Sequence, residues 1–325
     1  MVNLNVAVIG AEGYSRSLGK PSTASDITFF DLKQGDTTVS FVEPTRYPEK
    51  LAPLFYSVSL ADIAILVVDQ IGPAFGESVL MLDCAGTDRG FMILRNYITE
   101  EQVSPFTKGT KVEGYRVVPE DPVSLKEELM RIAESTQAVS DGAGSAPCGS
   151  VPVDHHFDVK GVGSVVLGTV VGGVVRRHDK LRLLPGSRTA VVRSIQKHDD
   201  DSDVAFVGDR VGLALKGMTN EELDRGMVLT SDERMLRSAD LVGEARLVKY
   251  WLNPIVPGMV LHVGHWMQFE PARVVAVSQP ENWREVTLTL SFQKEMVFLP
   301  GAKAILTYLE GGKLRVVGTI EMPRS

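Results

Sequence analysis

The sequence predicts a multidomain chain, one α/β domain followed by two all-β barrels, and three observations carry that expectation. Residues 1–135 alternate short apolar runs with helical stretches, the pattern of a mainly parallel sheet covered on both faces. Residues 135–149, STQAVSDGAGSAPCG, are small, polar and glycine-rich, a linker composition that marks the first boundary. Beyond them the chain reads as short strands separated by Gly, Pro, Asn and Asp turns, the spacing of β-barrels.

In the first domain strands are expected over residues 5–9, 37–43, 64–69, 78–82 and 90–94, with a tight hairpin turn at 31–36. An amphipathic helix is expected over 124–133, with Ser124 as N-cap and Glu127 three residues on as a capping box. Barrel strands are expected over 165–171, 180–184, 190–195 and 205–215, then over 245–250, 259–262, 273–277, 285–292, 302–308 and 314–320. A richly charged break at 231–240 separates the two sets, so the expected domains are 1–140, 148–233 and 240–325.

Composition narrows the function classes. An apolar content of 44% and a charged content of 23% are those of an ordinary soluble protein. The longest apolar run, residues 162–175, is interrupted by glycine and shorter than the roughly 20 residues a bilayer span needs. The start, MVNLNVAVIG, lacks a positive n-region and a cleavage site, so neither secretion nor a membrane is expected and the cytoplasm is. Two cysteines form no framework; Cys84 reads as a buried hydrophobe and Cys148 as a linker thiol. Net charge is −7, split as roughly −8 over 1–147, −2 over 148–233 and +3 over 234–325. An acidic first domain makes a poor RNA surface. Nucleic-acid contact is expected only locally in the C-terminal half, and DNA is not an expected partner, because no long basic run exists.

Residues 154–198, DHHFDVKGVGSVVLGTVVGGVVRRHDKLRLLPGSRTAVVRSIQKH, resemble the second domain of translational GTPases of the elongation factor Tu and SelB type. Local physics agrees: Gly161 and Gly163 suit the positive φ of a tight turn, and Gly168 lets a barrel strand bend without a Cβ clash. The segment NPIVPGMVLHVGHWMQFEPARVV is similar to the proline-rich turn and histidine-bearing strand of the family's third domain. His262 and His265 stand three apart, on opposite faces of a strand and without a Cys or carboxylate neighbour, so they read as structural and no metal is expected. The run His198-Asp-Asp-Asp-Ser-Asp203 lacks the glycine and terminal Glu of an EF-hand loop and reads as a solvated barrel loop.

The resemblance implies that the first domain is P-loop GTPase-like, with most of its nucleotide residues replaced. A phosphate loop needs G-x-x-x-x-G-K-[ST]: glycines so that N–H groups wrap the phosphates, a lysine to reach them and a hydroxyl for Mg²⁺. Here the first strand is followed by Gly10-Ala-Glu-Gly13-Tyr-Ser15-Arg16-Ser17. Gly10 and Ser17 match, Ser15 replaces the second glycine, and Arg16 puts a bulky planar fork where a compact ammonium belongs. The family's Asp-Thr-Pro-Gly-His run becomes Glu43-Pro-Thr-Arg46-Tyr47, which loses the γ-phosphate-sensing glycine and the hydrolytic histidine. The segment Ala61-Asp62-Ile-Ala-Ile-Leu-Val-Val-Asp69 fixes the register of that comparison. The guanine-reading N-K-x-D becomes Asn96-Tyr97-Ile98-Thr99, and a threonine cannot make a bidentate carboxylate contact. The long switch loop with its Mg²⁺-binding threonine is missing between Ser17 and Glu43.

Two readings of the old pocket stay open: Arg16, Arg46 and Tyr47 fill it, the loop being closed by Arg16 or Tyr14, or they form a site for another anion. No cofactor is expected, GTP or GDP with Mg²⁺ being the alternative. The resemblance implies a non-hydrolysing elongation factor-like protein that binds tRNA, the ribosome or another translation factor through its barrels. The alternatives are a divergent GTPase that still cycles and a protein-interaction scaffold.

Overall fold

The computed structural model describes residues 2–140, 148–278 and 282–324. The first domain is a seven-stranded sheet built from β1 (Val2–Ile9), β2 (Lys20–Ala24), β3 (Ile27–Gln34), β4 (Thr37–Pro44), β5 (Ile63–Val68), β6 (Gly90–Leu94) and β7 (Arg116–Val117), in the order β2-β3-β4-β1-β5-β6-β7. From β4 to β7 all neighbours are parallel, and β2 and β3 add an antiparallel edge. Four helices connect or cover the sheet: α1 (Ala52–Val58), α2 (Pro73–Ala85), α3 (Glu100–Thr107) and α4 (Pro122–Ser140). On α4, Leu125, Leu129, Met130 and Ala133 bury against Leu4, Val6 and Val8 of β1 and Phe41 of β4. Burial of such side chains contributes about 1.5–3 kcal/mol each.

Three local expectations are corrected. Residues 78–82 are not a strand but part of α2. The run SVLML carries no periodicity of its own, and Pro73 in the first turn and Gly86 as an αL C-cap at φ 78° set the helix instead. Helix α4 starts before Ser124. The Asp121 carboxylate accepts the N–H groups of Val123 at 3.0 Å and Ser124 at 3.4 Å, so Asp121 caps and Pro122 takes the first helical position. The hairpin turn falls after Gln34 at Gly35 and Asp36, because β3 runs through residues 31–34.

The second domain is a ring of six strands: β8 (Ser150–Val159), β9 (Gly163–Thr169), β11 (Lys180–Leu184), β12 (Thr189–Lys197), β15 (Arg210–Lys216) and β16 (Val228–Thr230). The order β11-β16-β8-β9-β15-β12 closes through β11–β12 pairing. The short β13 (Asp200–Ser202) extends β12, and β10 (Val174–Arg176) pairs with β14 (Val204–Phe206). A Cβ on Gly168 would stand 2.3 Å from the Pro152 carbonyl oxygen, so only glycine lets β9 cross β8 here. Gly161 and Gly163 have φ of 82° and 100° in the β8–β9 turn. The acidic run is a turn at His198 and Asp199, both at positive φ, followed by β13. Among the described residues no cluster of three or more His, Cys, Asp or Glu is placed to hold a metal.

The third domain is a closed six-stranded barrel of β17 (Leu236–Leu247), β18 (Val260–His265), β19 (Gln268–Ser278), β20 (Glu285–Phe298), β21 (Lys303–Thr307) and β22 (Val316–Glu321). The charged break is shorter than expected, since β17 already begins at Leu236. The chain is thus a mixed α/β domain followed by two six-stranded β-barrels. By compactness it divides into two units. Met1–Ser140 with Leu247–Leu252 and Ile305–Thr319 form one; Asp141–Arg246, Asn253–Ala304 and Ile320–Ser325 form the other. Within the second unit both barrels share an apolar cluster of Leu184, Val228, Met235 and Val297. Of the expected linker, residues 141–147 lie outside the described residues. No helix of the described residues is long and apolar enough to cross a membrane.

His262 stacks on Phe269 with ring centroids 5.2 Å apart, while His265 is buried and donates from Nδ1 to the Lys303 carbonyl at 3.0 Å. Burial pushes the His265 imidazole down to about 4, partly offset by that hydrogen bond. Between that value and the ordinary 6.5 the unfolded chain binds a proton that the folded chain refuses. Stability is therefore lost as pH falls from about 6.5 to about 4, by roughly 3 kcal/mol in total. Urea melts at pH 7.5 and 4.5 should show this loss in the wild type and not in His265→Gln, which keeps a donor for Lys303 but does not titrate.

Candidate functional site

Ligands of open α/β sheets bind beyond the carboxyl ends of the strands, where strand order reverses. Here that place follows β1, between the ends of β4 and β5, and of the candidate residues Gly10, Glu43 and Tyr47 line the cavity there. Gly10 leaves β1 at φ 102°, and a Cβ there would stand 1.9 Å from the Val67 carbonyl oxygen. Gly13 follows at φ 80°. The chain then makes a single 3-10 turn, Tyr14–Ser17, and passes directly into β2. A phosphate loop normally opens an α-helix whose aligned peptide dipoles and free N–H groups hold the anion. No such helix follows this loop.

The loop N–H groups are instead satisfied from within the chain. Gly13 N–H and Ser15 N–H donate to the two carboxylate oxygens of Glu43, the latter at 3.0 Å. Tyr14 N–H donates to Ala11 O, Arg16 N–H to Gly13 O, and Leu18 and Gly19 N–H to Ser15 O. Glu43 is only 4% exposed. Neither Arg16 nor Tyr14 closes the loop, contrary to the sequence expectation. Arg16 is exposed, and Tyr14 turns into the sheet core with Leu18 and Phe30 because its ring has more apolar area to bury there. Ser17 donates its hydroxyl to Tyr14 O at 2.7 Å and is exposed.

Beyond the carboxyl end of β6, Arg95, one residue past that strand, spans the strand ends. It donates to Asp69 at 3.1 Å and to Glu120 at 2.9 Å, and its guanidinium lies 5.4 Å from the centre of the Tyr14 ring. Hydrogen bonding to Arg95 holds the Glu120 carboxyl below its usual range. Asn96 donates to the Asp69 carbonyl at 2.9 Å, while Tyr97 points fully into solvent. Thr99 is exposed and serves as the N-cap of α3, its own N–H bonded to Gln102 at 2.9 Å in a capping box. Replacing Thr99 with Ala should cost about 1 kcal/mol through loss of that cap, read as a lower urea midpoint at unchanged slope.

On the switch side Arg46 is exposed, whereas Tyr47 donates its hydroxyl to Ala74 O at 2.7 Å. Burial, with Glu77 nearby, pushes the Tyr47 phenol well above its ordinary range, so it stays neutral. Glu77 on α2 is 3% exposed and binds Arg315 through both carboxylate oxygens, with the Arg315 Nε at 3.0 Å and its backbone N–H at 3.1 Å. Arg315 also donates to Pro48 O at 3.0 Å. A cavity of about 580 Å³ remains here, with Glu12, Glu43, Tyr47, Asp69 and Lys313 in its walls. Arg95, Glu120, Glu77 and Arg315 escaped sequence reasoning. Arg95 adjoins the quoted Asn96, but the Glu77–Arg315 pair spans 238 residues and left no local signal.

Comparison with known proteins bears on this arrangement. Residues 163–230 match the family model described as elongation factor Tu domain 2. An uncharacterized protein of Methanocaldococcus jannaschii is 35% identical over 98% of this chain and 99% of its own length. A selenocysteine-specific elongation factor of the same organism is 28% identical over 77% of this chain but 57% of that factor. This chain belongs to the translational GTPase family. As a family member it has the fold of translation elongation factor SelB from Methanococcus maripaludis, solved with the GTP analogue GppNHp. That match has a TM-score of 0.78 at 20% identity, over 99% of this chain and 78% of that one. The segments that the resemblance sets against the phosphate loop, the Asp-Thr-Pro-Gly-His run and the guanine motif carry here a glutamate on the loop N–H groups, a half-buried tyrosine bonded to Ala74 O and a helix cap.

Proposed function

We propose that this chain is an elongation factor body without a nucleotide switch. It acts in the cytoplasm, does not hydrolyse GTP, and binds tRNA, the ribosome or another translation component through its two barrels. The observation that carries the reading is the Glu43 carboxylate seated on the Gly13 and Ser15 N–H groups, where a phosphate would be wrapped. A buried carboxylate is costly to displace from such donors and repels a phosphate of like charge. Arg95, tied to Asp69 and Glu120, supports the same reading on the nucleoside side. The working boundaries are 1–140, 148–233 and 240–325, and the positive excess over 234–325, which includes Arg234 and Arg237 at the start of the last barrel, favours that part of the chain for RNA contact. The test is purification from a native host followed by nucleotide and RNA analysis of the protein. Co-purified tRNA or ribosomal RNA with no guanine nucleotide supports the reading. Stoichiometric GDP or GTP would instead favour a divergent GTPase, and neither RNA nor nucleotide would favour a scaffold.

A further inference from the structure

Glu43 places its carboxyl group in a site where its hydrogen-bond donors are the main-chain N–H groups of Gly13 and Ser15. It is 4% exposed, and among the described residues no Lys, Arg or His side chain pairs with it. A buried carboxylate in that position persists only if the backbone dipoles around it solvate an anion well. The loop therefore retains its capacity for an oxyanion, and the occupant is part of the chain. A second feature points the same way. The Ser15 hydroxyl, on the residue whose N–H holds Glu43, is fully buried and has no hydrogen-bond partner. The two Glu43 oxygens are fixed on the Gly13 and Ser15 N–H groups and neither bonds this hydroxyl, whereas a tetrahedral oxyanion carries four oxygens and can turn a further one toward it.

We propose that the loop at residues 10–17 holds an oxyanion site, built on the Gly13 and Ser15 N–H groups, whose resident ligand is the chain's own Glu43 carboxylate, and that a free oxyanion of the inorganic phosphate type takes its place when that carboxylate is removed. The inference rests on the proposed reading of the loop as self-occupied. It is confined to small oxyanions. The loop runs into a 3-10 turn and a strand rather than a helix, so no helix N-terminus extends the site toward a larger ligand, and Arg95 is tied to Asp69 and Glu120. Its consequence is a built-in lock. Four and five residues beyond Glu43 the same segment reaches Tyr47 on Ala74 O and Pro48 on Arg315, so the carboxylate holds permanently the connection that a removable phosphate would make and break.

The test is thermal unfolding of the full chain, wild type and Glu43→Ala, in inorganic phosphate and in chloride at matched ionic strength and pH. In chloride Glu43→Ala is expected to melt below wild type. Phosphate should stabilise it saturably, lowering its unfolding constant about tenfold at ten times the phosphate Kd, while leaving wild type unmoved. A Glu43→Ala protein that responds to phosphate no more than to chloride overturns the proposal. If it does not fold in chloride, refolding yield in the two salts gives the same comparison with the same two outcomes. Glu43→Gln keeps a side chain in the site without its charge and should respond little; a response equal to that of Glu43→Ala would overturn displacement as the mechanism. Titration of wild type with GDP and Mg²⁺ separates the two ideas. Nucleotide binding there sinks the proposed function, whereas absent phosphate rescue with no wild-type nucleotide binding sinks this inference alone.

Discussion

Mixed with GTP and Mg²⁺, the full chain is expected to release phosphate at the buffer rate, with or without ribosomes. Phosphoryl transfer is catalysed by positioning and by charge stabilisation, and each donor removed from such a site costs about a hundredfold or more. Here the losses are several and independent. The Gly13 and Ser15 N–H groups are spent on Glu43, and those of Tyr14, Arg16, Leu18 and Gly19 on the loop's own carbonyls. Arg16 is exposed, and Ser17 gives its hydroxyl to Tyr14 O. Tyr47 spends its proton on Ala74 O and stays neutral through burial, so it cannot act as a base toward water. A multiple-turnover phosphate-release assay decides the matter: a rate above background that Arg16→Ala abolishes would show a live site.

Replacing Asp154 with Ala is expected to destabilise the second barrel by about 3–5 kcal/mol, the cost of stranding a buried charge. Asp154 is 2% exposed, and Arg210, at 7%, grips it with both guanidinium nitrogens, one at 3.2 Å. Burial alone would raise the Asp154 carboxyl; Arg210 and the His155 ring at 2.7 Å outweigh it and hold the carboxyl below its usual range. Arg225 also donates to the Asp154 carbonyl at 2.9 Å, so one residue joins β8, β15 and the β16 approach. Loss of this magnitude is a large part of a domain's stability. It should appear as a separate early transition in urea, which the pair Asp154→Leu with Arg210→Met largely restores, because two apolar groups leave no charge unpaired. Equal melts for Asp154→Ala and wild type would show that the pair contributes little.

The two barrels and the α/β order were legible because their signals are local. Gly168 in a β-rich run and Gly161 and Gly163 in a turn each answer to a steric demand of the neighbouring backbone, and a Cβ at Gly168 would indeed strike Pro152. Short apolar runs misled where two periods fit equally, as at residues 78–82, where Pro73 and Gly86 settle a helix. Asp121, not Ser124, caps α4, since a proline between them takes the first helical position.

For the candidate site, what the sequence offered by itself was a resemblance that sets Arg16 against a lysine, Arg46 against a sensing glycine, Tyr47 against a histidine and Thr99 against a carboxylate. What replaced them only the tertiary structure decided. Glu43 lies 28 residues from Ser15, Glu120 25 from Arg95, and Arg315 238 from Glu77. Parallel strands bring such groups together at their carboxyl ends whatever their separation along the chain, and no periodicity encodes that meeting. Loss of a ligand group is written in one residue. Filling of the space it leaves is a property of packing: a buried N–H must find an acceptor, and here the fold supplies the Glu43 carboxylate.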